Sequence, residues 1–267
     1  MNFKILCSDL DGTLLTTKSD VSNTTISEIA RIRKKIKVIL VSARMPSGMH
    51  YLQKRLGIED QPIICYNGAL VLDGKKELLS VYIPLHTVRQ IYEICKEFKT
   101  DIGLYENDHW QVTRSSERVE KEIKYTRTYP SFVPAEMTLA YLEKNKIGAH
   151  KLMLMGTKES SDELMPVLRQ QFGTALHVYR SNDTLIEVAP KSVSKLTAIQ
   201  QLLTKEETLR DIIAFGDNYN DMDMLTHVAC GVAVGNAREE VKHIADHVTL
   251  KNTQDGVAHF IREHLLI

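Results

Sequence analysis

Residues 5–13 read Ile-Leu-Cys-Ser-Asp-Leu-Asp-Gly-Thr. An apolar run stops at two aspartates one residue apart, followed by a glycine and a hydroxyl. A run without polar alternation suits a parallel strand covered on both faces. Open α/β sheets collect their ligands at the carboxyl ends of such strands. Two carboxylates there repel each other unless a proton or a cation lies between them, and hard oxygen ligands suit Mg²⁺. Taken alone, Asp-Gly is also an ordinary turn pair with capping carboxylates. A second segment repeats the design, however. Residues 212–221 read Ile-Ile-Ala-Phe-Gly-Asp-Asn-Tyr-Asn-Asp. Two such strand ends side by side would make an acidic, oxygen-lined cup for a metal.

The rest of the chain supports an α/β reading. After Asp11, apolar spacing at Ile26, Ile29 and Ile32 predicts a helix opened by Ser22 as N-cap. A strand over 37–41 follows, then a helix entered at Pro46 and closed at Gly57, then a short strand over 62–66 ending at Asn67-Gly68. Asp73-Gly74 reads as a hairpin. Near Pro84 the character changes. From there to about Ile186 the pattern is helix, strands, helices and strands, without acidic strand ends. The last third returns to strand–helix alternation. The expected fold is a doubly wound, mostly parallel, Rossmann-like sheet core with an inserted α+β cap domain. Residues 1–83 and 188–267 form the expected core, and residues 84–187 the insertion.

Composition narrows the function. The chain has 267 residues, 43% of them hydrophobic, with 34 basic and 34 acidic residues. That length favours more than one domain, and the zero net charge does not recommend nucleic acid as a partner. The basic cluster Arg31, Arg33, Lys34, Lys35 and Lys37 reads as the solvated C-terminal end of a helix. Cys7, Cys65, Cys95 and Cys230 form no Cys-x-x-Cys pair, which speaks against zinc or a disulfide framework. There is no signal peptide pattern and no apolar stretch of bilayer length, so no membrane partner is expected and a reducing cytoplasm is the expected compartment. His243 and His247 read as surface histidines on one helical face rather than a metal site.

Asp9-Leu10-Asp11-Gly12-Thr13 and Gly216-Asp217-Asn218-Tyr219-Asn220-Asp221 resemble the first and last signatures of the haloacid dehalogenase-like hydrolases. Val38-Ile39-Leu40-Val41-Ser42-Ala43-Arg44 is similar to the second motif of that family, and Lys195, opening an apolar run, to its basic third motif. The resemblance covers the whole chain and is greatest to the Cof-like phosphatases of subfamily IIB. It departs at the glycines that usually flank the lysine, whose places are Ser192 and Leu196, and at Ala43, where glycine is usual. Lys191 therefore competes with Lys195.

The resemblance implies Mg²⁺ as cofactor and an aspartyl-phosphate intermediate. It implies Asp9 as nucleophile and Asp11 as the acid and base that serves the leaving oxygen and then water. Asp9, Asp11 (through its carbonyl) and Asp217 are the implied metal ligands, with Asp221 as an outer ligand or water-holder. Ser42, Lys195, Asn220 and Thr13 are the implied phosphate-binding residues, although Ser42 alone could be a helix cap and Thr13 could bond its own turn. Arg44, Asn67, Gly68 and Arg180 are candidate substrate contacts. Asn67 equally suits a left-handed turn, and Asn236 suits either a helix cap or a phosphate-side loop. In the insertion, the lone Trp110 reads as a core anchor or a sugar-stacking face. The expected activity is a Mg²⁺-dependent phosphomonoester hydrolase for small phosphorylated metabolites, sugar phosphates first. A phosphosugar mutase and a non-catalytic phosphometabolite-binding protein are the alternatives. Monomer and dimer both remain open.

Overall fold

The computed structural model describes residues 3–17 and 19–265. It divides into two compact units, Met1–Leu79 with Ser194–Ile267, and Ser80–Val193. The divisions fall a few residues outside the prolines that mark the change of pattern in the sequence. The reason is local pairing. Ile83 donates its amide to the Ala149 carbonyl at 2.8 Å, and Lys191 donates to the Ala175 carbonyl at 3.0 Å, so both flanks are stitched into the second unit.

In chain order the elements begin with β1 (Ile5–Ser8), α1 (Asn23–Ile32), β2 (Lys37–Val41), α2 (Ser47–Leu56), β3 (Ile63–Cys65), β4 (Leu70–Asp73) and β5 (Lys76–Ser80). The second unit contributes α3 (Leu85–Glu97), β6 (Asp101–Glu106), β7 (His109–Val112), α4 (Glu117–Thr126), β8 (Ser131–Phe132) and α5 (Ala135–Asn145). It continues with β9 (Lys151–Met155), α6 (Lys158–Phe172), β10 (Leu176–Asn182) and β11 (Leu185–Pro190). The chain then returns through α7 (Lys195–Leu202), β12 (Ile212–Gly216), α8 (Met222–His227), β13 (Cys230–Ala233), α9 (Glu239–Ile244), β14 (His247–Val248) and α10 (Gly256–His264).

The sheet of the first unit has the order β14-β13-β12-β1-β2-β3-β4-β5. From β14 through β3 every neighbouring pair is parallel, and β4 runs antiparallel to β3. β1 lies between β12 and β2, with Ile5 opposite both Ile212 and Lys37. All residues of β1 and β12 are buried, which is the burial that their unbroken apolar runs require. Each fully buried Ile, Leu or Phe contributes about 1.5–3 kcal/mol to holding these layers together. The helix signals act where they stand. Ser22 accepts the Thr25 amide at 3.0 Å, and Gly57 takes the left-handed conformation (φ 64°) that ends α2.

The second unit carries a mixed sheet, β10-β11-β9-β6-β7-β8. Its apolar core joins Ile102, Leu104, Leu152, Leu154, Ile186 and Val188 of the strands to Val88 and Ile91 of α3, Leu139 and Leu142 of α5, and Leu164 and Leu168 of α6. Trp110 is 2% exposed and stacks on Tyr105 with ring centroids 5.4 Å apart, so it serves as an anchor of this interior. One expectation is overturned: His243 and His247 do not share a helical face. α9 stops at Ile244, because Asp246 leaves the helix to exchange hydrogen bonds with Gly231, and His247 opens β14.

Candidate active site

The parallel strands place five segments at one edge of the first sheet. Asp9 follows β1, Ser42 follows β2, Tyr66–Gly68 follows β3, Asp217 follows β12, and Val234-Gly235-Asn236 follows β13. One carboxylate oxygen from each of Asp9, Asp217 and Asp221 lies within 4.8 Å of the other two. Lys195 comes to the same place from the first turn of α7. Its ammonium is fully buried and stands 2.5 Å from Asp9 Oδ1 and 2.6 Å from Asp221 Oδ1. Lys191 instead donates to the Gly173 carbonyl in the second unit.

Local geometry explains how the loop ends are held. Gly12 has φ 91°, and a Cβ there would come 2.4 Å from Asp217 Oδ2, so only glycine lets the two acidic loops approach this closely. Asn236 donates to the Gly12 carbonyl at 2.8 Å, tying the β13 loop to the β1 loop; it does not cap α9, which opens after Arg238. Gly68 has φ 107°, and a Cβ there would lie 2.4 Å from the Ser194 carbonyl. That contact seats the N-terminus of α7, where Ser194 caps by accepting the Thr197 amide, and so brings Lys195 inward. Asp221 accepts the amides of Asp217 and Asn218 on Oδ2 and the Lys195 ammonium on Oδ1. Both of its oxygens are engaged in shaping the loop.

The other sequence candidates are placed as follows. Thr13 donates to Asp217 Oδ1 at 3.3 Å, so its hydroxyl steadies that carboxylate rather than its own turn. Ser42 is 1% exposed and its Oγ accepts the Arg44 amide at 3.2 Å. Asn67 is left-handed (φ 55°) and its Oδ1 accepts Nδ2 of Asn220 at 3.0 Å. The Asp11 carboxylate lies outside the three-aspartate cluster. It receives Arg44 Nε and Nη2 side-on, at 2.7 Å each. Arg44 is buried and committed to Asp11, Gly48 and Tyr51. Arg180 belongs to the second unit, where it braces its own hairpin through Asp162 and the carbonyls of Asn182 and Asp183. Tyr51 is a member of this network that the sequence reading missed. The only available signal is its place one turn into the helix that follows Arg44.

The electrostatics ask for a cation. Burial pushes Asp9 well above the usual carboxylate range; Lys195 opposes this, and Asp221 and Asp217 add to it. Burial, then Asp221, pushes Asp217 up to about 6. Burial works against the charge of Lys195, but Asp221 and Asp9 outweigh it and its pKa is raised. Three carboxylates around one ammonium leave surplus negative charge in a largely buried space. The donor set is oxygen only, as hard divalent cations prefer. The residues therefore fit a divalent metal site.

Comparison with known proteins agrees. The family model for haloacid dehalogenase-like hydrolases matches residues 6–261. A putative phosphatase of Haemophilus influenzae is 30% identical over 98% of both chains. The pyridoxal phosphate phosphatase YbhA of Escherichia coli is 28% identical over the full length of both. The crystal structure of a haloacid dehalogenase-like hydrolase from Bacteroides thetaiotaomicron superposes with a TM-score of 0.88 at 28% identity, covering 97% of this chain and 98% of that one. The chain belongs to the haloacid dehalogenase-like hydrolases and is a phosphatase of that superfamily.

Proposed function

We propose that the protein is a Mg²⁺-dependent phosphomonoester hydrolase acting on small phosphorylated metabolites, sugar phosphates first among them, through an aspartyl-phosphate on Asp9. The observation that carries this reading is the buried Asp9–Lys195–Asp221 arrangement with Asp217 beside it. A phosphate-binding protein has no use for a carboxylate held by an ammonium on one oxygen, or for a second carboxylate two residues on. The relatives that act on pyridoxal phosphate and on a phosphoribitylamino-uracil support small phosphorylated metabolites as the substrate class.

Lys195 takes Asp9 Oδ1, which leaves Oδ2 to attack phosphorus. As that bond forms, the ester oxygen departs and takes a proton from Asp11. Water then attacks the aspartyl-phosphate and gives a proton back to Asp11, releasing phosphate and restoring Asp9. Lys195, Ser42 and Asn220 are the groups assigned to phosphoryl oxygens, where each donor is worth on the order of 2.7–4 kcal/mol of barrier. Asp9, Asp217 and the carbonyl of Asp11, with Asp221 behind them, would hold Mg²⁺, which would supply charge neutralisation that lets a carboxylate approach a phosphate dianion.

The test is turnover of p-nitrophenyl phosphate with Mg²⁺, followed by phosphate release from a panel of sugar and cofactor phosphates. Activity is expected to vanish with chelator and in Asp9→Asn. A wild-type protein inert towards the whole panel, yet binding phosphorylated compounds, would support the non-catalytic reading instead.

A further inference from the structure

Asp11 has two expected roles on two different atoms, metal ligand through its carbonyl and proton carrier through its carboxylate, and the structure shows what holds the carboxylate. The fork of Arg44 meets the Asp11 carboxylate edge to edge, both bonds at 2.7 Å. The third arm of the guanidinium donates to the Gly48 carbonyl at 3.2 Å and to Tyr51 Oη at 3.0 Å, and Tyr51 donates in turn to the Ser19 carbonyl at 2.7 Å. The Arg44 side chain is 3% exposed, whereas that of Asp11 is 47% exposed. This is not an exchangeable surface ion pair. The cation is sunk in the protein and braced from behind, and the carboxylate sits on top of it.

A planar bidentate fork sets the plane of its partner as well as the distance. A buried guanidinium also needs a counter-charge, and the Asp11 carboxylate is the one at its fork. Asp11 is thereby satisfied without sharing a cation, and the acidic cluster is spared a fourth negative charge.

We propose that Arg44 is a positioning residue of the reaction: it holds the Asp11 carboxylate apart from the Asp9–Asp217–Asp221 cluster and presents its exposed edge for proton transfer. The proposal rests on the hydrolase reading of Asp9 and Asp11 given above. In the first step one Asp11 oxygen keeps its bond to Arg44. The other gives up its bond to the fork on taking a proton, and delivers that proton to the ester oxygen as the phosphorus–oxygen bond breaks and the bond to Asp9 forms. In the second step the same oxygen takes a proton from water as the water–phosphorus bond forms and the Asp9–phosphorus bond breaks.

Leaving groups of different basicity make the test. p-Nitrophenolate departs without needing a proton, whereas the alkoxide of glycerol phosphate or a sugar phosphate needs one. The first turnover is measured by rapid quench for both ester types in wild type, Asp11→Asn, Arg44→Gln, Arg44→Lys and Tyr51→Phe, after melting curves have identified the folded variants. Arg44→Gln is expected to lose roughly 10²-fold on the alkyl ester and at least about tenfold less on the nitrophenyl ester, copying the pattern of Asp11→Asn. Tyr51→Phe, which removes a brace and leaves the fork, is expected to show the same selectivity at smaller size, and it carries the test if Arg44→Gln does not fold. Equal losses on both esters in the folded variants, or no loss on either, overturn the role of Arg44 while leaving the hydrolase reading intact. A wild-type enzyme inert to both esters overturns the hydrolase reading and this proposal with it.

Discussion

Lys195 opens α7 with its ammonium buried between two carboxylates, although the glycines that would mark it in the sequence are absent. Asp9, Asp11 and Asp217 could be read directly from strand-end patterns, because carboxylates stranded after apolar runs demand an explanation. Arg44 and Tyr51 could not be read in the same way. An arginine after a strand looks the same whether it faces a ligand or a neighbouring loop, and only the packed structure shows it 3% exposed beneath Asp11. Asp217 yields a prediction at this scale. Its pKa of about 6 exceeds the ordinary value of 3.8. The native state therefore holds a proton that the unfolded state lacks between about pH 4 and 6. Without a cation, stability falls as pH rises through that window. A divalent cation must displace this proton, so Mg²⁺ or Mn²⁺ is expected to bind more tightly at pH 7.5 than at pH 5.5 with proton release. Calorimetry in buffers of different ionisation heat checks this, and affinity independent of pH would contradict it.

Among the elements, the strands and helices with strong periodicity were legible, and so was the α+β character of the insertion. α4 was not. Only Val119 and Thr126 of its residues are buried, so its apolar stripe is too thin to announce a helix. His150, just before β9, was equally silent. It is completely buried, accepts the Asn107 amide on Nδ1 at 3.0 Å, and meets Ser80 Oγ through Nε2 at 3.0 Å. Accepting on Nδ1 requires the neutral ring with its proton on Nε2, donated to Ser80. Burial lowers its pKa to about 3. The unfolded state binds a proton below about pH 6.5 that the native state refuses, so the stabilisation is complete above that pH and drains away as pH falls. The loss should reach about 2 kcal/mol by pH 5. Denaturant titrations at pH 7.5 and 5 should show this difference in wild type and a smaller one in His150→Gln. Equal pH dependence in the two would remove His150 from the account.

At the scale of the molecule, Asp9, Arg44, Lys195, Asp217 and Asp221 all belong to the first unit, although its two segments are separated by residues 80–193. Joining Leu79 to Ser194 through a short Gly/Ser linker is expected to leave a core whose melting temperature still rises with Mg²⁺, and whose response disappears in Asp217→Asn. A thermal shift series reads both. Doubly wound topology was legible because each parallel strand carries its chemistry at the same end. The full order of the strands was not: the two acidic ends mark β12 as a neighbour of β1, but nothing in the chain marks the places of the others. That order has a consequence for biosynthesis. β1 emerges from the ribosome well before β12, and Ile5 must wait for Ile212 to complete its ladder. At about 5–20 residues per second, a hydrophobic edge in the middle of the future sheet stays bare for on the order of ten seconds or more, long enough to attract another nascent chain. For this architecture the hazardous interval is translation itself, and a chaperone has its work to do before β12 arrives.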